Sequence, residues 1–139
     1  MKLTTDRTSL PLRAKAVRTL VVDDSPDLLE VFCALLAKQP EIEVVGTAEN
    51  GVEALRRSAN LHPDLVLMDV TMPEMDGVTA ASLMAKFPNR PHVILMSSDD
   101  SCCGEHELDT AGAEAFIFKP RFRQQFPPAL EAVLTVDAN

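Results

Sequence analysis

Four short apolar segments of the chain end in polar side chains that could do chemistry together. Each segment is rich in branched aliphatic residues, and the polar side chains that follow are, in chain order, Asp23 and Asp24, Asp69, Ser97 and Ser98, and Lys119. In an open parallel α/β sheet, ligands bind beyond the carboxyl ends of the strands, where the strand order reverses. The sequence therefore predicts that three carboxylates, two hydroxyl groups and one ammonium group meet at one edge of a sheet.

This set of groups indicates a metal-assisted phosphoryl site. Three carboxylates held close together repel one another, and a hard cation or a nearby ammonium group keeps them ionised. Mg²⁺ prefers oxygen ligands and retains several waters, so we expect it as the cofactor. Lys119 would hold one phosphoryl oxygen and Ser97 would donate a hydrogen bond to another. A carboxylate in such surroundings can accept a phosphoryl group.

Each of these residues also has an ordinary structural explanation. The acidic pair could cap a helix, Asp69 could form a turn, and Lys119 could begin a solvated loop. Capping and turn formation do not require acid, acid, hydroxyl and lysine at successive strand ends. The combination therefore favours the chemical interpretation, although any single residue would not.

The segments that must position these groups alternate between two patterns. Short β-branched runs alternate with amphipathic stretches of helical length, which is typical of βαβ units with helices on both faces of a parallel sheet. The predicted strands cover residues 18–22, 42–48, 65–68, 92–96 and 115–118. Residues 65–68 are all apolar, as expected for a strand covered on both faces, and they predict the central strand.

Helices are predicted between the strands and after the last one. The first carries an apolar stripe, namely Leu28, Leu29, Phe32, Leu35 and Leu36. Asn50 is a candidate N-cap for the second helix, and the third is predicted over 78–87. A fourth, at 101–111, is weak by propensity. The last is predicted to begin near Pro127 and Pro128, because proline suits a first helical turn.

Length and composition predict one compact domain. The chain has 139 residues, of which 46% are hydrophobic, and this suffices for one domain with a buried core. We assign that domain to residues 17–136, preceded by a flexible basic arm at 1–16 and followed by a short tail at 137–139. The first 18 residues contain no long apolar run, so no signal peptide or membrane contact is predicted and a cytoplasmic location is expected.

Charge and cysteine content exclude several other classes of protein. The 13 basic and 21 acidic residues give a formal net charge of −8, which disfavours nucleic acid as a partner because its phosphates would be repelled. The three cysteines, Cys33, Cys102 and Cys103, are odd in number and contain no CxxC pair. This argues against a disulfide framework and against a structural zinc site.

Several motifs together resemble one family. The stretch PDLVLMDVTMPEMDG at residues 63–77 is similar to the phosphoacceptor signature of two-component response regulators, with Asp69 at the phosphorylated position. The stretch VVDDS at 21–25 is similar to the acidic-pair motif of that family. Ser97 stands at its hydroxyl position, and FKP at 118–120 is similar to its invariant lysine followed by a cis-proline. Nearly the whole chain, residues 18–135, thus resembles a response-regulator receiver domain.

The resemblance implies a fold and a cofactor site. The fold would be a flavodoxin-like, doubly wound, five-stranded parallel sheet of order 2-1-3-4-5 with helices on both faces. Mg²⁺ would be bound by Asp24, Asp69 and the backbone carbonyl of Thr71, with Asp23 acting through water. Asp69 would accept a phosphoryl group from a phosphohistidine of a sensor kinase or a histidine phosphotransfer protein.

The resemblance also implies a switch. Phe116 would be an aromatic switch residue that turns inward as the Ser97 hydroxyl moves to the phosphoryl group. The alternative is an ordinary core residue of the strand, but the place of Phe116 three residues before the matched Lys119 favours the switch. Output would pass to a downstream protein through the face of the fourth helix, fifth strand and fifth helix (the α4-β5-α5 face). Residues 121–126 are expected to form a longer than usual connection before the last helix.

The implied function is that of a single-domain response regulator that catalyses only its own phosphorylation and slow autodephosphorylation. Two alternatives remain open. A pseudo-receiver would keep the fold as an interaction module without phosphorylation. A magnesium-dependent phosphatase of the haloacid-dehalogenase type would need a second acid two residues after the nucleophile, where this chain has Thr71 after Asp69 and Ser25 after Asp23.

Overall fold

The computed structural model describes residues 16–99 and 112–138, with side chains described as far as residue 135. The strands are β1 (Val17–Val22), β2 (Ile42–Ala48), β3 (Leu65–Asp69), β4 (His92–Ser97) and β5 (Ala115–Phe118). The described helices are α1 (Pro26–Leu36), α2 (Gly51–Leu61), α3 (Gly77–Met84) and the C-terminal helix (Phe122–Ala138), which follows a 3₁₀ turn at Lys119–Arg121. The basic arm, apart from residue 16, and the predicted fourth helix lie outside the described residues.

The strands form one parallel sheet in the order β2-β1-β3-β4-β5. This confirms the predicted flavodoxin-like order 2-1-3-4-5, with β3 in the centre. The register brings the strand ends together, because Val22 pairs with Met68 and Ser97 pairs with Phe118. The residues that follow these pairs therefore emerge at one edge of the sheet.

Apolar layers cover both faces of the sheet, as expected for parallel strands joined by helical crossovers. One layer packs α1 and the C-terminal helix against the sheet; it includes Leu29, Phe32, Leu67, Ile94 and Phe126. The other packs α2 and α3 against the opposite face; it includes Ala54, Val66, Ala80, Met84 and Leu95. All five residues of β3 are buried, which confirms the prediction of a central strand at this position.

Side-chain caps fix the starts of α1, α2 and α3. Ser25, Asn50 and Asp76 each accept a hydrogen bond from the backbone N–H three residues later, at 3.2, 2.8 and 2.8 Å. Such caps satisfy N–H groups that the first helical turn leaves without a partner. The N-cap predicted at Asn50 is thereby confirmed. The caps at Ser25 and Asp76 also hold the loops that follow β1 and β3.

The last helix begins at Phe122, so its predicted start near the two prolines is wrong. Pro127 and Pro128 lie inside the helix, and both are exposed. Proline removes a helical hydrogen bond at this position, which costs stability. Tertiary packing offsets that cost, because the ring centre of Phe122 lies 4.9 Å from the ring centre of Phe32 and 5.1 Å from that of Phe126. Residues 122–126 are therefore helical, and the expected long connection is absent from this described segment.

Two smaller expectations also need correction. No peptide bond among the described residues is cis, so the bond between Lys119 and Pro120 is trans. Pro120 lies in the 3₁₀ turn, whose backbone angles suit its ring. Helix α3 ends at Met84 rather than at residue 87. Across the part of the chain that the structure describes, no helix is both long and apolar enough to cross a membrane.

Candidate functional site

Three carboxylates gather at the edge of the sheet where β1 and β3 end. One oxygen from each of Asp23, Asp24 and Asp69 lies within 4.8 Å of the others. Asp23 and Asp69 are buried and Asp24 is exposed. The predicted meeting of these acids is confirmed, and we call the three residues the acid cluster. The acid cluster is therefore accessible to solvent on the side of Asp24.

Lys119 reaches the acid cluster from the end of β5. Its ammonium nitrogen lies 2.6 Å from Oδ2 of Asp23 and 3.2 Å from Oδ2 of Asp69. The lysine side chain is only 8% exposed, so these ion pairs lie in surroundings where charges are poorly screened. One ammonium group cannot neutralise three carboxylates. The site therefore retains an excess of negative charge.

The surroundings of Asp69 raise the pKa of its carboxyl group to about 6. Burial is the largest cause, while the Lys119 charge lowers the pKa and the Asp23 charge raises it. The backbone N–H of Thr71, 3.4 Å from Oδ1 of Asp69, also lowers the pKa. A cation beside Asp69 would reverse the effect of burial, because positive charge favours the ionised carboxylate.

The acid cluster fits a hard cation such as Mg²⁺. Oδ1 of Asp23 accepts a hydrogen bond from the backbone N–H of Ser25 at 2.9 Å. Oδ2 of Asp23 is buried and, among the described residues, has no hydrogen-bond partner with proper geometry, although the Lys119 ammonium contacts it as an ion pair. A buried acceptor of this kind is normally satisfied by water or an ion. The other possible metal ligands in the acid cluster are also carboxylate oxygens, which Mg²⁺ prefers.

Ser97 reaches the same edge of the sheet without joining the acid cluster. It is the last residue of β4 and is buried. Its hydroxyl oxygen accepts a hydrogen bond from the backbone N–H of Asp99 at 2.9 Å. No hydrogen bond described in the structure joins Ser97 to Asp69. The Ser97 hydroxyl hydrogen remains a donor that could serve an incoming oxygen.

Phe116 lies on β5, three residues before Lys119. It pairs with Leu95 of β4 and packs, partly buried, against the apolar layer that covers the α2 and α3 face. Partial burial is compatible with a core residue and also with a side chain that changes position. The predicted place of Phe116 in the strand is confirmed, and its role as a switch stays a prediction.

Two glycines support the acid cluster in a way that the sequence did not reveal. A Cβ atom at Gly77 would collide with the carbonyl oxygen of Asp69. The backbone N–H of Gly77 donates a hydrogen bond to the carbonyl oxygen of Val70 at 2.7 Å. A Cβ atom at Gly51 would collide with the carbonyl oxygen of Met75. The start of α3 and the start of α2 therefore press directly on the loop that follows Asp69. The Asn50-Gly51 and Asp76-Gly77 pairs were the available signals, but they indicate turns rather than close backbone contact.

Comparison with known proteins assigns the chain to one family. The model of the response regulator receiver domain matches residues 19–131. This chain belongs to that family. The receiver fold serves as a signalling phosphoacceptor. The acid cluster of this receiver domain lies at the edge of the sheet where β1 and β3 end.

Curated relatives of this receiver domain include protein-glutamate methylesterase/protein-glutamine glutaminases. The protein from Nocardioides sp. is 42% identical over 105 residues, which cover 76% of this chain and 29% of the relative. That from Thermotoga maritima is 35% identical over 126 residues, covering 86% of this chain and 37% of the relative. The chain thus spans about a third of the length of these relatives and corresponds to their receiver portion.

Solved receiver structures share the fold. The response regulator domain of Thermotoga maritima CheB is 34% identical, with a TM-score of 0.75 over 87% of this chain and 96% of that one. The CheX-CheY-BeF3-Mg complex from Borrelia burgdorferi contains a chain 28% identical to this one, with a TM-score of 0.78 over 86% of this chain and 90% of that one. Both similarities cover more than four fifths of this chain.

Proposed function

We propose that this receiver domain accepts a phosphoryl group onto Asp69 from a phosphohistidine of a sensor kinase or a histidine phosphotransfer protein. The observation that carries this proposal is the environment of Asp69. Its carboxylate is buried within 4.8 Å of two other acids and lies 3.2 Å from the Lys119 ammonium nitrogen. A carboxylate held only for structure has no need of such costly surroundings, whereas a phosphoacceptor does.

The transfer forms a phosphorus–oxygen bond and breaks a phosphorus–nitrogen bond. A carboxylate oxygen of Asp69 attacks the phosphorus, the bond between phosphorus and the donor imidazole nitrogen breaks, and its electron pair remains on that nitrogen. The product is an acyl phosphate on Asp69 and a free histidine on the donor. Lys119 and Ser97 donate hydrogen bonds to phosphoryl oxygens during this step, which stabilises the charge that spreads over them.

Mg²⁺ would be held by Asp24, Asp69 and the backbone carbonyl of Thr71, with Asp23 acting through water. When bound, it supplies positive charge that offsets the repulsion within the acid cluster and neutralises phosphoryl oxygens. The residues contribute orientation as well. The hydrogen bond from the Ser25 N–H fixes one oxygen of Asp23, and the close contact of Gly77 with the Asp69 backbone fixes the loop that follows the acceptor.

The signal would leave through contact with another protein. On phosphorylation, the Ser97 hydroxyl would exchange its present position near Asp99 for a phosphoryl oxygen, and Phe116 would turn inward. The described parts of the output face are β5 and the C-terminal helix. We further propose the receiver unit at residues 17–136 with a basic arm before it and a short tail after it, no nucleic-acid or membrane partner, and a cytoplasmic location, where ATP-dependent kinases form phosphohistidine.

A second candidate is that the receiver is the regulatory part of a longer protein. The observation that favours it is the length of the methylesterase relatives, of which this chain covers 29% and 37% in the two cases above. An antibody against the receiver, applied to lysate of the source cells, separates the two. A band at the mass of this chain supports a single-domain regulator, and a band about three times heavier supports a fused effector.

The experiment for the phosphotransfer proposal uses purified histidine kinases from the source organism, each labelled with ³²P on histidine. We expect rapid transfer of label from at least one kinase to the parent chain, and none to Asp69→Asn. The same preparation should show almost no turnover of para-nitrophenyl phosphate, which separates a receiver from a phosphatase. Absence of transfer from every kinase, with no labelling by small phosphodonors, would favour the pseudo-receiver alternative.

A further inference from the structure

The outer face of α1 carries an ordered series of side chains. Asp27, Val31, Ala34 and Lys38 are spaced four, three and four residues apart, so they lie along one stripe of the helix and of the turn that continues it. All four side chains are exposed. The stripe therefore begins with an acid, continues with two apolar residues and ends with a base.

Beside this stripe runs an open seam between α1 and the C-terminal helix. Two adjoining grooves of about 290 and 390 Å³ share Leu35, Phe122 and Arg123 as lining residues. Val31 lines the larger groove and is 49% exposed. Among the described residues only Val31 and Val52, on α2, are large hydrophobic side chains with this degree of exposure. The groove and the exposed valine at its rim together form one partly apolar surface along the stripe.

We propose that the stripe on α1 and the adjoining groove form the interface of a homodimer. In this dimer, the α1 helix of a second copy packs antiparallel against the α1 helix of the first. A two-fold interface requires a surface that is complementary to itself. The order acid, apolar, apolar, base meets that requirement. With the two-fold axis midway between Val31 and Ala34, each Asp27 faces Lys38 of the second copy, and each Val31 faces its Ala34.

The spacing agrees with ordinary helix packing. Asp27 and Lys38 are eleven residues apart, which corresponds to about 16 Å along a helix axis. The exposed Ala34 allows the two helices to approach closely at the centre, where Val31 of the other copy fills the space. The net charge of −8 on each copy opposes association and weakens the dimer.

The dimer would also lie beside the acid cluster. The larger groove ends at Ser98 and Lys119, so a second copy seated along it narrows the approach to Asp69 from the α1 side. A bulky phosphohistidine protein would be hindered by that copy, whereas a small phosphodonor would not. This consequence rests on the proposed function, but the dimer itself does not.

Sedimentation equilibrium over a range of chain concentrations tests the proposal, with Val31→Asp compared with Val52→Asp as the matched control. We expect the average mass of the parent to rise from one chain toward two, and Val31→Asp to raise the dissociation constant at least tenfold. The control should dimerise like the parent, because Val52 lies on α2, away from the stripe. Circular dichroism and labelling by acetyl phosphate check that each variant is folded and has a competent acid cluster.

A charge exchange provides the second arm. Lys38→Asp should weaken the dimer by placing two acids opposite each other, and adding Asp27→Lys to it should restore association. A parent that stays monomeric at every concentration, equal effects of the two valine substitutions, or an exchange that restores nothing would overturn the proposal. A monomeric parent that loses phosphoryl transfer from a histidine kinase in Val31→Asp, while acetyl phosphate still labels it, would assign the groove to the phosphodonor instead.

Discussion

The ammonium nitrogen of Lys119 lies 2.6 Å from Oδ2 of Asp23, closer than the 3.2 Å that separates it from Oδ2 of Asp69. In this state the lysine is bound chiefly to the acid that ends β1 rather than to the proposed acceptor. A phosphoryl group on Asp69 would bring new oxygens for the same ammonium group. Lys119 therefore links the strand ends of β1, β3 and β5, and its contacts must be redistributed when the acceptor is modified.

Removing this lysine should destabilise the fold. Lys119→Met leaves Asp23 and Asp69 buried without their counter-charge, and breaking a buried pair costs about 3 kcal/mol or more. We expect urea denaturation in EDTA to show that loss, and excess Mg²⁺ to recover part of it. Lys86→Met, at an exposed position away from the acid cluster, is the control. A loss no larger than in the control would contradict the assignment of these ion pairs.

The pKa of Asp69 predicts how stability depends on pH without metal. An acid whose pKa is raised by folding keeps its proton in the folded state at pH values where the unfolded chain has released it. For Asp69 this window runs from 3.8 to about 6. The contribution of Asp69 to the free energy of unfolding is thus fully present below 3.8 and falls as pH rises through the window. Denaturation curves at several pH values in EDTA should show this fall in the parent and lack it in Asp69→Asn. Equal slopes in both proteins would mean that Asp69 titrates normally.

Mg²⁺ should stabilise the folded protein at neutral pH through Asp24. A ligand that binds only the folded state stabilises it by about 2.7 kcal/mol at a hundredfold excess over its dissociation constant. Asp24→Ala should bind Mg²⁺ much more weakly in calorimetry and lose most of this stabilisation, while staying folded. Asp27→Ala, three residues later and outside the acid cluster, should behave like the parent. Tight Mg²⁺ binding by Asp24→Ala would remove Asp24 from the metal site.

Ser97 should carry the signal from Asp69 toward the output face. Amide hydrogen exchange with and without beryllofluoride, a phosphoryl mimic, should change within residues 112–135, because that region contains β5 and Lys119, and β5 pairs with the strand that Ser97 ends. In Ser97→Ala these distant changes should shrink while the changes near Asp69 persist. Protection changes confined to residues 69–77 in the parent would show that the signal leaves by another face.

Much of the fold and the acid cluster could be predicted because both depend on local patterns. Apolar runs that stop abruptly at acids, a serine or a lysine mark the strand ends, and the parallel order then brings Asp23, Asp69 and Lys119 together. The start of the last helix could not be predicted in this way. Local rules place Pro127 at a first turn, but the burial of Phe122 and Phe126 against α1 decides the outcome, and that contact is invisible in the sequence.

The contacts around the acid cluster could not be predicted from the sequence either. The sequence suggests that Ser97 and Asp69 share a site, yet the Ser97 hydroxyl binds the Asp99 N–H instead. The collision that any side chain at Gly77 would cause with the backbone of Asp69 depends on how tightly α3 packs on the preceding loop. Such distances are set by tertiary packing, whereas residue type and spacing determine only which groups arrive at the edge of the sheet.

Intact-mass spectrometry after incubation with Mg²⁺ and acetyl phosphate tests the central claim most directly. The parent chain should gain the mass of one phosphoryl group, and so should Asp27→Asn, in which an exposed acid outside the acid cluster is neutralised. Asp69→Asn should gain none, and EDTA should prevent the gain in the parent. Labelling of Asp69→Asn to the same extent as the parent would contradict the assignment of Asp69 as the phosphoacceptor.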